Sequence, residues 1–280
     1  MKKILISGAG SYIGTSLAGF LAQWPRDYQV DTLDVIGEGW KSADITGYDA
    51  VFHVAGIAHQ KETEENRHLY FEVNRDLAVA MAQKAKDAGI PQFIFMSTMS
   101  IYGMESGVIT PDTRPQPRNS YGLSKWEAEE AMGALVCDTF RVAVLRPPMV
   151  YGKNCRGNFQ TMKKLVEKSP VFPAVKNRRS MVSITNLCSF VRLAVDEQLS
   201  GVFFPQNAEP VSTTEMARIL ARTLGRRVWF SRAAGLAVTA LATVYPTARK
   251  AFSSLTYEGC EQHGFRYCVE DLDTSVRRSV

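Results

Sequence analysis

The first 23 residues constrain the fold more than any other stretch of the chain. Lys3-Ile4-Leu5-Ile6-Ser7 is a short apolar run with the length of a buried strand. Gly8-Ala9-Gly10-Ser11-Tyr12-Ile13-Gly14 follows, then a helical stretch from Thr15 to Gln23. In that order, strand, glycine loop and helix let a backbone approach a pyrophosphate and aim a helix N-terminus at its charge. Gly8 is placed for the tight turn, and Gly14 for close packing of helix on strand. A second apolar strand, Tyr28-Gln29-Val30-Asp31-Thr32-Leu33, ends at Asp34, 20 residues after Gly14. A carboxylate there holds adenosine ribose hydroxyls and repels a 2′-phosphate, which favours NAD over NADP. Strands alternate with helices to about residue 150, the pattern of a parallel sheet covered on both faces.

Tyr121-Gly122-Leu123-Ser124-Lys125 lies ahead of the helical pattern Trp126-Glu127-Ala128-Glu129-Glu130-Ala131. Residues four apart share one helix face, so the Lys125 ammonium can lie near the Tyr121 phenol and favour its phenolate. Tyr121 is thereby a candidate general base.

These features together resemble the extended short-chain dehydrogenase/reductase family, in particular its nucleotide-sugar epimerases and 4-keto-sugar reductases, over residues 3–200. The family's glycine motif is G-x-x-G-x-x-G; here the positions hold Gly8, Ser11 and Gly14. The resemblance implies an α/β fold, a Rossmann-like doubly wound parallel sheet over residues 1–150, with a smaller C-terminal α/β substrate lobe over residues 151–280. A helix near residues 186–197 is expected to return to the first lobe. NAD is the implied cofactor. Gly8, Ser11, Tyr12, Ile13, Gly14 and Asp34 are its expected first contacts, and Asp44 and Ile45 the pair at adenine. Val54, Ala55 and Gly56 end the strand beneath the cofactor. Asn74, Ser97, Tyr121, Lys125 and Pro148 complete that set, while His53 is expected to be a packed strand residue.

By the same resemblance Thr98, Tyr121 and Lys125 are catalytic. Thr98, Met149, Asn158, Phe159 and Arg179 are expected at the substrate, with Arg179 gripping a diphosphate through its planar fork. Tyr121 would take the proton of a sugar 4-hydroxyl while hydride leaves C4, giving a transient 4-keto sugar. Related dehydratases carry an Asp-Glu pair after the threonine, and decarboxylating relatives a carboxylate at the second position. Met99 and Ser100 stand there and supply neither. A 4-epimerase is the leading expectation, a 4-keto-sugar reductase the alternative, and a non-catalytic dinucleotide-binding protein the second alternative. Leu145-Arg146-Pro147-Pro148-Met149 has the Arg-Pro-Pro variant associated with surface-polysaccharide enzymes. A homodimer through helices at 76–88 and 121–135 is also implied.

Five scattered cysteines without a C-x-x-C pair, and four histidines, point away from disulfides and metal and toward a reducing cytoplasm. Residues 1–140 carry 12 Lys and Arg against 18 Asp and Glu, and residues 141–280 carry 21 against 10. The basic second half suits an anionic small-molecule substrate, a nucleotide sugar or a lipid-linked sugar. No nucleic-acid motif accompanies it. The 16 residues from Ala233 to Ala248 contain no charge but are too short, and too broken by Gly235 and Pro246, for a membrane span. A core helix is the first expectation there; a membrane-facing patch beside Arg249 and Lys250 is the second.

Overall fold

The computed structural model describes residues 1–58, 60–260 and 265–280. In chain order its elements begin with β1 (Lys2–Ser7), α1 (Tyr12–Leu21), β2 (Tyr28–Leu33), α2 (Gly39–Ser42), β3 (Ala50–His53), α3 (Arg67–Phe71), α4 (Leu77–Asp87) and β4 (Gln92–Met96). They continue with β5 (Gly107–Ile109), α5 (Ser120–Gly133), β6 (Arg141–Leu145), β7 (Met149–Tyr151), α6 (Asn158–Lys168), β8 (Val171–Pro173), β9 (Met181–Ser183) and α7 (Ile184–Asp196). The last are β10 (Gly201–Phe203), α8 (Thr213–Thr223), β11 (Trp229–Ser231), α9 (Arg232–Val244), α10 (Pro246–Phe252), β12 (Leu255–Tyr257) and α11 (Leu272–Arg278).

The chain forms two compact units. The first holds Met1–Gly103, Arg114–Pro147 and Cys188–Pro205; the second holds Met104–Thr113, Pro148–Leu187 and Gln206–Val280. The changeover thus falls after Pro147 rather than at residue 150. Met104–Thr113 joins the second unit because β5 pairs with β12 in parallel, Gly107 opposite Leu255.

In the first unit six parallel strands run in the order β10-β6-β4-β3-β1-β2. The inner strands β1, β3, β4 and β6 are buried on both faces over most of their length, which is why they read as apolar runs, while the edge strands β2 and β10 are partly exposed. Ala78, Met81, Ala82 and Ala85 of α4 and Ala128 and Met132 of α5 pack against Leu5, Val51, Phe93, Phe95, Val142 and Val144. β1 has β2 on one side and β3 on the other, so the connections diverge at its carboxyl end and leave a crevice there, where ligands of such sheets bind. His53 is the packed strand residue expected. Its Nδ1 pairs with the Ser7 hydroxyl at 2.7 Å, it stacks on Phe93 and Phe95, and burial pushes its pKa down to about 3.

The second unit is built on three two-stranded parallel pairs, β5-β12, β7-β9 and β8-β11, with Tyr151, Phe159 and Phe172 fully buried among them. The charge-free stretch is not a core helix. Only Gly235 and Ala242 of α9 are buried, while Leu236, Leu241 and Val244 face solvent. Hydropathy reports that such side chains prefer to leave water, and not which neighbour receives them.

Candidate active site

The glycine loop is shaped by close approach. Gly8 has φ +122°, and a Cβ there would lie 2.8 Å from the Ala55 nitrogen. Its own N–H donates to Leu33 O, and the Val54 and Ala55 N–H groups donate to Ser7 O, so the ends of β1, β2 and β3 are tied together. Ser11, where the related motif has glycine, caps α1, its Oγ accepting from Gly14 N at 3.2 Å. Tyr12 and Ile13 form the first turn behind it. A Cβ on Gly14 would meet Ser11 Oγ at 2.6 Å and Ile6 Cγ2 at 2.9 Å. This cradle fits a dinucleotide: the loop backbone and the α1 N-terminus face the crevice at the end of β1.

Asp34 is exposed just beyond β2, and its carboxylate accepts from Ile36 N at 2.9 Å. The Asp44 carboxylate accepts from Thr46 N at 2.9 Å, a bond that holds it below the usual carboxylate range. Ile45 is buried in the core.

Asn74 sits fully buried in a π-helical turn, Glu72–Asp76, between α3 and α4. Such bulges recur at functional sites. Its amide accepts from Ile57 N at 2.8 Å, donates to Ile57 O at 3.0 Å and reaches Ser124 Oγ at 3.3 Å. It clamps the segment after β3 to α5. A Cβ on Gly56 would lie 2.8 Å from Asn74 Oδ1 and 3.4 Å from Lys125 Nζ, so only glycine lets these groups meet.

Thr98 ends the segment after β4 and caps the 3₁₀ turn Met99–Tyr102, its Oγ1 accepting from Ser100 N at 3.1 Å. Asn119 caps α5 by accepting from Gly122 N at 2.8 Å. A Cβ on Gly122 would stand 2.7 Å from Ser100 O, so the first turn of α5 presses on the 3₁₀ turn and carries Tyr121 to Thr98. Against the burial that raises it, the Thr98 hydroxyl is the polar neighbour that pulls the Tyr121 phenol pKa down. Lys125 is buried; its Nζ donates to Met96 O at 2.8 Å and lies 4.5 Å over the Phe95 ring. Burial pushes its amine down to about 7, against the opposite pull of Glu129.

The expected depression of the Tyr121 pKa by Lys125 needs correction. Burial holds the phenol above its ordinary value, and the Thr98 hydroxyl opposes that rise without reversing it. Lys125 is spent on Met96 and Phe95, and desolvation outweighs what remains.

Ser97, expected beside the nicotinamide, gives its hydroxyl to Glu129. Glu129 is buried and paired with Arg146 at 2.6 Å, and Arg146 donates to the Tyr102 hydroxyl at 2.8 Å while lying against Tyr102, Trp126 and Phe204. This chain of contacts ties α5, the end of β6 and the 3₁₀ turn after Thr98. Sequence reasoning passed over Glu129 and Arg146 as site residues; the signal was an acid four residues after Lys125, one turn along the same helix face.

The remaining predicted residues belong to the second unit. Pro148 is buried at its start, and Met149 is half-buried on β7. Asn158 is exposed at the first position of α6. Phe159 does not line a pocket: it is fully buried and stacks on Tyr151 with ring centroids 5.4 Å apart, a core residue. The Arg179 guanidinium donates to Ser253 O at 2.7 Å, and burial lowers its pKa. Among the described residues no cluster of His, Cys, Asp or Glu forms a metal site.

A parallel sheet with a glycine loop at the end of β1 defines a class of dinucleotide-dependent enzymes. The chain belongs to that class as a member of the extended short-chain dehydrogenase/reductase family: the model of the RmlD substrate binding domain matches residues 1–272. It is 32% identical over 255 residues to a UDP-glucose 4-epimerase of Vibrio cholerae, covering 81% of this chain and 77% of that protein. It is 26% identical to an N-acetyl-alpha-D-glucosaminyl-diphospho-ditrans,octacis-undecaprenol 4-epimerase of Escherichia coli O157:H7, covering 71% of this chain and 64% of that protein. The fold is also that of the UDP-glucuronic acid 4-epimerase of Bacillus cereus, solved in complex with NAD, with a TM-score of 0.76 and 18% identity across 99% of this chain and 95% of that one.

Proposed function

We propose that this chain is an NAD-dependent 4-epimerase of a sugar carried on a diphosphate, either a nucleotide or a polyprenyl carrier, and that it serves surface-polysaccharide assembly. The observation that carries this reading is the first turn of α5, with Tyr121, pressed on the turn that Thr98 caps, beside buried Lys125, with Met99 and Ser100 following Thr98 where a dehydratase needs an acid and a base. The names of the 4-epimerases of Vibrio cholerae and Escherichia coli support it. Five scattered cysteines without a C-x-x-C pair suit a reducing compartment, the cytoplasm.

The Gly8–Gly14 loop, Asp34 and the Val54–Gly56 segment hold the dinucleotide, with Asn74 fixing the floor. Bound there, NAD⁺ would supply the hydride acceptor for sugar C4 and a positive charge that would favour the Tyr121 phenolate. Tyr121 takes the 4-hydroxyl proton and later returns it; Thr98 holds that oxygen throughout. Lys125, fixed by Met96 O, orients the ribose side of the site. Glu129 and Arg146 keep α5 in register with the turn after Thr98. Arg179 is the proposed grip on the diphosphate, and Asn158 lines the proposed substrate pocket.

The test incubates the protein with NAD and no reductant, offering UDP-hexoses, UDP-N-acetylhexosamines and N-acetylglucosaminyl diphosphoprenol, with products read by proton NMR. A 4-epimer formed without net NADH is expected, and Tyr121→Phe should lower turnover by about 10²–10⁴. Conversion confined to a 4-keto sugar plus NAD(P)H would replace epimerase by reductase. Near-normal turnover of Tyr121→Phe would remove that residue from the mechanism.

A further inference from the structure

The second unit carries an apolar helix face laid open beside a basic cavity. α9 is held by backbone contact: a Cβ on Gly235 would lie 2.0 Å from Ala174 O, and Ala242 is buried one side with it. Leu236, Ala237, Ala240, Leu241 and Val244 are all exposed, and at 100° per residue they centre about 180° around the helix from Gly235 and Ala242. The helix is thus fixed on one side and apolar on the other. Trp229 at its head and Tyr245 at its tail are 70% and 58% exposed. No acid occurs in α9, and its single charge is Arg232 at the first position.

Leu236 and Arg232 also line a cavity of about 1750 Å³ bounded by α8, β11 and the segment after β8. Seven lysines and arginines line it, Arg226 and Arg227 among them, against one acid, Glu215. All seven are exposed. Arg249 and Lys250, the cations expected to serve this patch, instead pair with Glu105 at 3.6 and 3.7 Å, and Arg249 also closes the turn from α9 by donating to Ala242 O and Thr243 O.

We infer that this face is a peripheral docking surface for an anionic lipid bilayer, α9 lying in the membrane plane with the Arg226, Arg227 and Arg232 side among the headgroups. An interfacial helix needs an apolar face, flanking aromatics and adjacent cations, and all three meet here. A second copy fits worse, because a two-fold contact would set the basic rim against itself. A small anionic ligand would leave Leu236 and Val244 in water. None of the described helices is long and apolar enough to cross a membrane, so the contact is one of surface.

The test is co-sedimentation of the full chain with phosphatidylcholine vesicles, with and without phosphatidylglycerol, together with tryptophan emission. Binding to the phosphatidylglycerol vesicles is expected, with a blue shift that Trp229→Phe removes. At roughly fivefold per basic residue near such a surface, Arg226→Glu with Arg227→Glu should weaken binding by about 20-fold or more. Leu236→Asp should weaken it as well, and circular dichroism should be unchanged for these exposed positions. Absence of binding to phosphatidylglycerol vesicles, or binding unaffected by Leu236→Asp, overturns the inference. So does a dimer in sedimentation velocity that Leu236→Asp dissolves, which would assign the face to a second copy. Epimerase turnover on a water-soluble substrate is scored separately, so the catalytic reading and the membrane reading can fail independently.

Discussion

Replacing Lys125 by methionine should make the protein more stable and inactive at once. Lys125 is 4% exposed, and its amine falls from the ordinary 10.5 to about 7. At about 1.4 kcal/mol per decade, that difference is worth roughly 5 kcal/mol between the folded and unfolded chain. The sign follows from proton counting. The folded pKa is depressed, so between about pH 7 and 10.5 the unfolded chain holds a proton that the folded chain does not. Stability from this group is complete above 10.5 and is lost as pH falls to about 7. Methionine fills similar volume without a charge to desolvate. Urea melts of wild type and Lys125→Met should therefore differ by about 3–5 kcal/mol at pH 6, with the gap shrinking steadily as pH is raised to 10. The variant should lose epimerase turnover, a trade of activity for stability. A Lys125→Met protein less stable than wild type at pH 6, or a gap that does not change with pH, would refute the assignment of a desolvated amine to this site.

Three further outcomes follow from the same geometry. Glu129→Ala leaves Arg146 buried without its carboxylate and should cost about 3–5 kcal/mol by urea melt, while Glu129→Ala combined with Arg146→Met should recover most of that loss. Gly122→Ala drives a Cβ to 2.7 Å from Ser100 O, so turnover should fall at least tenfold with little change in cofactor affinity measured by calorimetry. Asp34→Ala should weaken NAD binding and narrow its advantage over NADP in a fluorescence titration; an unchanged NAD/NADP ratio would remove Asp34 from the ribose site.

The parts of the site legible in the sequence are those fixed by local geometry. Gly14 is forced by Ser11 and Ile6 within a single strand–loop–helix unit, Gly8 by its φ of +122° in the same turn, and the Tyr121-to-Lys125 spacing is that of one helical turn. The parts that were not legible depend on distant partners. Glu129 reads as a solvated helix acid until the fold brings Arg146 and Ser97 to it. Phe159 follows the pattern of a pocket residue, yet Tyr151 takes its ring into the core. α9 has a hydropathy that suits a core or a surface equally, and the close approach of Ala174 to Gly235 decides which side is covered. The pairing of β5 with β12 has no local signature, since short strands take their register from whatever lies beside them.

That pairing has a consequence for how the protein is made. Gly107 waits for Leu255, 148 residues later in the chain. At about 5–20 residues per second, β5 leaves the ribosome roughly 7–30 s before its partner exists. The second unit also draws on three separate stretches, the last running from Gln206 to Val280. It is therefore a product of late synthesis, and during the interval the strand edge of β5 is open to wrong partners. A ribosome stalled before residue 255 would carry a chain able to pair β1 through β4, but with β5 still unmatched.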